Sequence, residues 1–297
     1  DATAARRLFE AGAILLGKTQ MVEFAFGGAG INHHYVTPWN PWDLQEHRLP
    51  GGSSSGSGVA VSSGLTSAAL GTDTGGSVRI PASFDGLVGL KPTFGRVSNA
   101  GVVPLDSTLD SVGPMARSVG DAALLYDVIR GPDGEDAATL DQPIEGPSDD
   151  LNLDLTGVRL CVPREYFWED VDTETEAAVR ATAQVFAELG ANVDEISLEP
   201  LDRLIEMRQR SAAAGLTVGT LSSVETCMHF GAELDARYED FDPIVAPRMI
   251  DGRNLNAVDY LTLQRAWEHL RGAALAALED VDALLTPTTP FPAPTVA

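Results

Sequence analysis

Residues 51–101, GGSSSGSGVAVSSGLTSAALGTDTGGSVRIPASFDGLVGLKPTFGRVSNAG, join two glycine- and serine-rich turns, GGSSSGSG at 51–58 and GTDTGGS at 71–77, to short apolar runs. Glycine tolerates positive φ and close backbone approach, so each turn can aim several consecutive amides at one point. Serine hydroxyls beside such amides are the ingredients of a nucleophile with an oxyanion hole, and the chemistry of the chain is placed here.

A serine hydroxyl needs a base to take its proton. The five histidines, His33, His34, His47, His229 and His269, follow no order that matches a serine-hydrolase triad. Gly52–Gly56 spells G-x-S-x-G around Ser54, but the preceding HRLPG is a poor strand, so the strand-turn-helix setting of a nucleophile elbow is missing. Neither lysine follows a serine by three residues, and no lysine closes the GGSSSGSG run as a phosphate-binding loop would require.

Outward from this stretch the pattern is layered α/β. Residues 2–11 read as a helix capped by Asp1, with Ala4, Ala5 and Leu8 on one face and Gly12 as its stop. Ala13–Leu16 is a wholly apolar run between two glycines, the pattern of a strand buried on both faces. A second unit follows, with a strand at Val158–Val162, a helix at Thr173–Leu189 stopped by Gly190, and a strand at Val193–Ile196. Residues 131–154, rich in Pro, Gly and Asp, form a surface connector, and one large sheet is expected to accommodate both sides of it. Residues 201–214 and 257–280 look helical, and Leu284–Ala297 ends in proline-broken extended chain.

At 297 residues the chain can bury about 75% of its unfolded surface. Cys161 and Cys227 stand far apart and no signal-peptide pattern is present, which fits a reducing cytoplasm. No Cys/His cluster has zinc spacing, and no apolar run reaches the roughly 20 residues of a membrane span. The net charge is −23, and of the 20 basic residues only Lys18 and Lys91 are lysine. That acidity argues against direct nucleic-acid binding, which needs a basic patch. It is the composition expected of a protein kept soluble at high salt, where screening relieves self-repulsion, and so of a halophilic source; the alternative is an ordinary acidic cytoplasmic enzyme from a GC-rich genome.

Residues 51–98 resemble the signature segment of the amidase signature family, with similarity from Asp1 to about Ile129 and weaker likeness through Pro290. GGSSSGS, GTDTGGSVR, PASF, GLKPTFGRVS and LDSVGP occur in the family's order and at its spacing. The resemblance implies an α/β fold with a central mixed sheet covered by helices on both faces, in one domain over residues 1–297. It implies hydrolysis of a carboxamide by a Ser-Ser-Lys relay, without metal or cofactor. Ser77 matches the nucleophile and Ser53 the bridging serine, which in the family follows a cis peptide bond, here Gly52–Ser53. Thr74, Gly75, Gly76 and Ser77 match the oxyanion-hole amides, and Arg79 is expected to pair with Asp73 or to meet an acidic substrate.

The family's lysine lies in a K-D-x segment several dozen residues before the bridging serine, whereas this chain begins 52 residues before Ser53. Lys18 and Lys91 match other positions of the family pattern. The expectation is therefore a chain short of its N-terminal lysine segment, with impaired activity, and short at its C-terminus. Asp85 stands where many relatives have cysteine, a departure that bears on local packing and not on the mechanism. His33 and His34 are expected to brace the loop before the site, Trp39 and Trp42 to be core or rim, and Asp110 to be a structural hydrogen-bonding residue.

Two other readings stay open: the glutaminase subunit of a tRNA-dependent amidotransferase, with partner subunits, and a non-catalytic binding protein. GINHHYVTPWNPWD, residues 30–43, looks more like the corresponding segment of stand-alone amidases. The implied partners are a small-molecule amide substrate and a second copy in a homodimer, with no membrane. The charge alone makes one prediction: raising KCl from about 0.1 M to about 3 M lifts the melting temperature by several degrees, followed by circular dichroism, and a fall in melting temperature would refute the high-salt reading.

Overall fold

A computed structural model describes residues 1–141, 151, 154–198 and 219–296. In chain order its helices and strands are α1 (Thr3–Glu10), α2 (Ser55–Ser62), β1 (Ala68–Asp73), α3 (Arg79–Phe84), β2 (Val88–Gly89), β3 (Ser111–Ala116), α4 (Val119–Ile129), β4 (Arg159–Pro163), α5 (Thr173–Glu188), β5 (Asn192–Ile196), α6 (Thr220–Arg237), α7 (Val245–Asp251), α8 (Ala257–Ala277) and β6 (Ala283–Leu284). The chain is mixed α/β, as its sequence implies. It divides into two compact units, Asp1–Asp149 with Ser222–Gly252 and Ala293–Ala297, and Asp150–Leu221 with Arg253–Pro292.

In the first unit, β3 is the central strand of an antiparallel sheet ordered β1-β3-β2, paired from Ala68↔Ala116 to Asp73↔Ser111 and at Val88↔Ala116. It is buried throughout although it contains Pro114, a residue that argues against a central strand because it lacks an N–H. Its carbonyl still takes the Leu90 amide at 3.0 Å. α1 presents Ala4 and Leu8 to a cluster of Val97, Val112 and Ile129 with Tyr126. Arg7 then ties α1 to the end of α4, donating to the carbonyls of Ile129, Arg130, Gly131 and Pro132 at 2.7–2.9 Å. A cation satisfying carbonyls at a helix C-terminus is the favourable arrangement there. α6 and α7 bury Leu234, Val245, Ala246 and Met249 around Val22, with Phe24, Phe230 and Phe241 packed on the cluster. Phe230 and Leu234, like Val245 and Met249, are four residues apart, which puts each pair on one helix face.

The second unit holds a parallel sheet ordered β5-β4-β6, from Arg159↔Asn192 to Pro163↔Ile196 on one side and Cys161↔Leu284 on the other. Parallel neighbours need a crossover, and α5 supplies it. Asp172 caps α5 by accepting the Glu174 amide at 2.9 Å, and Gly190 follows the helix at φ +100°. The sequence reading of this strand-helix-strand unit is met within one residue at most boundaries. Residues 201–214, read as helical, lie outside the described residues.

The described strands form two sheets. Two expectations are corrected. The residue before α1 is Ala2, not Asp1, and no side chain caps the helix; the Thr3 amide goes instead to the Ala100 carbonyl at 3.1 Å. Ala13–Leu16 is not a buried strand, for Ile14 and Leu16 are 84% and 71% exposed and the run pairs with no strand among the described residues. An apolar run proposes a strand, but only neighbouring strands and covering helices bury it. The fold therefore predicts that Met249→Ala lowers unfolding free energy in urea by about 2–5 kcal/mol, while Leu16→Ser changes it by less than about 0.5 kcal/mol.

Candidate active site

The site is built where β1 ends. Asp73, its last residue, is fully buried, and the chain turns through Thr74, Gly75 and Gly76 to Ser77 before entering α3. Asp73 Oδ1 accepts the Gly76 amide at 2.7 Å and Oδ2 the Val78 amide at 3.1 Å, so one carboxylate closes the turn from both sides of Ser77. Arg79 completes this by donating Nη2 to Oδ1 at 2.8 Å and Nε to Oδ2 at 2.9 Å, a bidentate brace. Burial opposes ionisation of Asp73, but the guanidinium and the two amides outweigh it and hold the carboxyl below its ordinary value. Of the two roles open to Arg79, the pairing with Asp73 is the one present.

Gly76 takes φ +128°, and its N–H is the one given to Asp73 Oδ1. Behind the turn, Thr74 Oγ1 donates to Asp110, whose other oxygen takes the amides of Leu105 and Asp106 at 2.9 and 3.1 Å. Burial raises the Asp110 pKa against these bonds. Asp110 also lines a cavity of about 270 Å³ with Phe94, Val102, Pro104 and Asp136, which neither Ser53 nor Ser77 lines.

Ser53 approaches from the other glycine turn. The Gly52–Ser53 peptide is cis, as the resemblance implies. The turn is backed by residues 22–30: Ser53 O accepts the Val22 amide at 3.1 Å, and Gly28 O accepts the Gly52 amide at 2.8 Å. A Cβ on Gly52 would lie 2.7 Å from Gly27 O and 2.6 Å from Gly30 N, so nothing larger than glycine fits between these strands of backbone. The Ser54 amide donates to Ser77 O at 3.2 Å, which joins the two turns directly. Ser53 is fully buried and Ser77 is 8% exposed, and Ser53 Oγ has no hydrogen-bond partner among the described residues.

Neither lysine therefore bonds to Ser53. Lys18 is exposed, and Lys91 Nζ donates to Pro92 O at 2.7 Å. Burial lowers the Lys91 pKa, with Asp73 opposing that shift and Arg79 adding to it, which places this cation near the Asp73–Arg79 pair. Ser57 Oγ donates to Leu70 O at 2.9 Å and Ser62 Oγ, in α2, to Asp85 O at 2.7 Å, whereas Ser55 Oγ, like Ser53 Oγ, is buried without a hydrogen-bond partner among the described residues.

His33 and His34 do brace the loop. Asp242 accepts the His33 amide and lies 2.9 Å from His33 Nδ1, while Glu23 accepts the Asp242 amide at 2.6 Å and lies 3.4 Å from His34 Nε2. Arg248 of α7 adds a bond to Phe26 O at 2.9 Å. Glu23, Asp242 and Arg248 were not legible as loop supports, because 219 residues separate Glu23 from Asp242 and no local motif marks any of the three. Trp42 is at the rim, donating Nε1 to Asp85 O at 2.8 Å, and Trp39 stacks on His47 with ring centres 4.4 Å apart. Among the described residues no group of three or more His, Cys, Asp or Glu is placed to hold a metal ion, and no helix is long and apolar enough to cross a membrane.

Asp73 and Arg79 make a sign-definite prediction. A lowered carboxyl pKa contributes stability above the ordinary value of 3.8 that is lost as pH falls through the folded-state value. Arg79→Ala, which leaves Asp73 buried without its countercharge, costs about 3 kcal/mol at neutral pH, and the gap to the parent protein in urea titrations narrows as the pH drops below 3.8.

The Amidase family model matches residues 1–297. The chain is 39% identical to the 2-amino-5-chloromuconic acid deaminase of Comamonas testosteroni over 96% of this chain and 57% of that protein. It is 40% identical to a glutamyl-tRNA(Gln) amidotransferase subunit of Chromohalobacter salexigens over 99% of this chain and 63% of that protein. Among solved structures, a crystal structure of an amidase superposes with a TM-score of 0.83 at 38% identity, over the whole of this chain and 62% of that one. The chain thus spans about three-fifths of the length of the relatives it matches, and with the family model matching residues 1–297 and the cis peptide before Ser53 in place, this chain belongs to the amidase family.

Proposed function

We propose that the protein hydrolyses a carboxamide through an acyl-enzyme on Ser77. Ser77 Oγ attacks the carbonyl carbon while its proton passes to Ser53 Oγ and on to a base. The amides of Thr74, Gly75 and Ser77 receive the oxyanion; Gly76, committed to Asp73, sets the turn that aims them. The C–N bond then breaks, the nitrogen takes the relayed proton and leaves as ammonia or an amine, and water attacks the ester to release the acid and return the proton to Ser77. The observation that carries this reading is the buried Ser53 Oγ, without a hydrogen-bond partner among the described residues, in a turn bonded to Ser77 through the Ser54 amide. A buried hydroxyl left unsatisfied is costly, and one beside a nucleophile has a use in proton transfer. The base is a lysine that neither Lys18 nor Lys91 supplies.

A second reading, the glutaminase component of an amidotransferase working with partner subunits, is favoured by the 40% identity to the Chromohalobacter amidotransferase protein. Residues 30–43 favour the stand-alone amidase. The acidic surface and the paucity of lysine support a high-salt, intracellular setting for either.

Intact-mass spectrometry after exposure to a serine-directed fluorophosphonate tests the serine assignment. One adduct is expected on a version extended upstream, none on its Ser77→Ala variant, and an at least 10²-fold slower reaction on its Ser53→Ala variant, about the lower end of what acid–base assistance contributes; equal labelling of the chain as given would return Lys18 or Lys91 as the base. An adduct that persists in Ser77→Ala refutes the assignment. Ammonia release from simple amides without partner subunits favours the first reading, and release from glutamine only with added subunits favours the second.

A further inference from the structure

We propose that Asp85 is a positioning residue that governs, in a pH-dependent way, how closely α2 approaches α3, and through that contact the register of Ser53 against Ser77. The proposal rests on reading those two serines as the relay. α2 begins two residues after Ser53 and α3 two residues after Ser77, so the contact between these helices sets the spacing of the two hydroxyls. That contact is made at Gly58 of α2. A Cβ there would collide with Asp85 Oδ2 and lie 3.1 Å from Pro81 Cβ, so the carboxyl of Asp85 sits directly against the α2 backbone.

The backbone of Asp85 is held from three directions. The Asp85 amide donates to Pro81 O at 2.9 Å, closing α3, and its carbonyl accepts Ser62 Oγ from the end of α2 and Trp42 Nε1. The carboxyl is fully buried, and neither oxygen has a hydrogen-bond partner among the described residues.

No charge compensates it either. α2 carries no titratable side chain; α3 carries only Arg79, which is engaged by Asp73; Arg117, after β3, gives Nη1 to the carbonyls of Val61, at the end of α2, and Thr66; and in the segment that brings Trp42, Asp43 and Glu46 are paired with Arg48. Burial alone pushes the Asp85 pKa up to about 8. At neutral pH the group is a neutral acid packed between two helices. Above about pH 8 it becomes an anion with no donor and no countercharge against Gly58 and Pro81, and the two helices must part to hydrate it. The folded state keeps a proton that the unfolded chain releases, so the stability tied to this group falls as pH rises from 3.8 to about 8 and is gone above it.

The reporter is the Ser54 amide, whose bond to Ser77 O spans the two turns. Hydrogen exchange at Ser54, corrected for the intrinsic rate, is followed from about pH 6 to about pH 9 in the parent protein, Asp85→Asn and Asp85→Cys. Protection in the parent is expected to fall by about tenfold or more across that range, while both variants hold a flat profile and melt higher at the alkaline end. The same pH dependence in parent and variants overturns the proposal; should one variant fail to fold, the other decides it. Fluorophosphonate labelling is read in the same samples, and its loss at alkaline pH in the parent but not in Asp85→Cys supports the coupling. Where no labelling is seen at any pH, the exchange profile decides the role of Asp85 by itself.

Discussion

The carboxylate of Asp73 is the constraint on which the rest of the site depends. A strand that ends in a buried acid must satisfy that acid at once, and the chain does so with the amides of Gly76 and Val78 and the guanidinium of Arg79. Satisfying them forces the backbone to fold back around Ser77. The turn is therefore shaped by bonds within the fold itself. The same demand explains why Gly76 is spent on structure: its amide is the donor nearest the carboxylate, and its positive φ is the geometry that delivers it.

The second turn is fixed by exclusion rather than by charge. Gly52 is pressed against the backbone of Gly27 and Gly30, and Gly51 against Pro81, distances that leave no room for a side chain. What backs this turn is residues 22–34, and they are fastened to the helical segment 222–251 by polar bonds through Asp242, Glu23 and Arg248 and by the apolar cluster around Met249. Long-range packing thus holds a local backbone geometry. The two serines differ in how they are held, one by electrostatics within eight residues and one by contacts more than 200 residues apart.

That difference explains what the sequence made legible. The Gly/Ser turns, the Arg79–Asp73 pair and the β4-α5-β5 unit are local patterns whose caps and spacings are written in consecutive residues. The central strand β3 is hidden by Pro114, and its burial comes from strands and helices outside its own stretch of sequence. Ala13–Leu16 is the converse case, a perfect local pattern for a buried strand without the neighbours that would bury it. Asp242 was invisible for the same reason that it matters: its partners His33 and Glu23 come from the other end of the first unit's sequence.

The placement of Asp85 shows how a substitution outside the reacting groups can bear on them. Where a small neutral side chain would simply fill the space beneath Gly58, an acid fills the same space only while it keeps its proton. Its neighbours give it no reason to lose that proton below neutrality, since Arg79, the one cation of α3, is already engaged by Asp73. The two acids divide the work of the same short helix. Asp73 must be charged to hold the start of α3, and Asp85 must be uncharged for its end to pack. The geometry of Ser77 and Ser53 is consequently defined between the titrations of these two carboxyls, an interval bounded from below by a carboxylate that needs its charge and from above by one that cannot tolerate it.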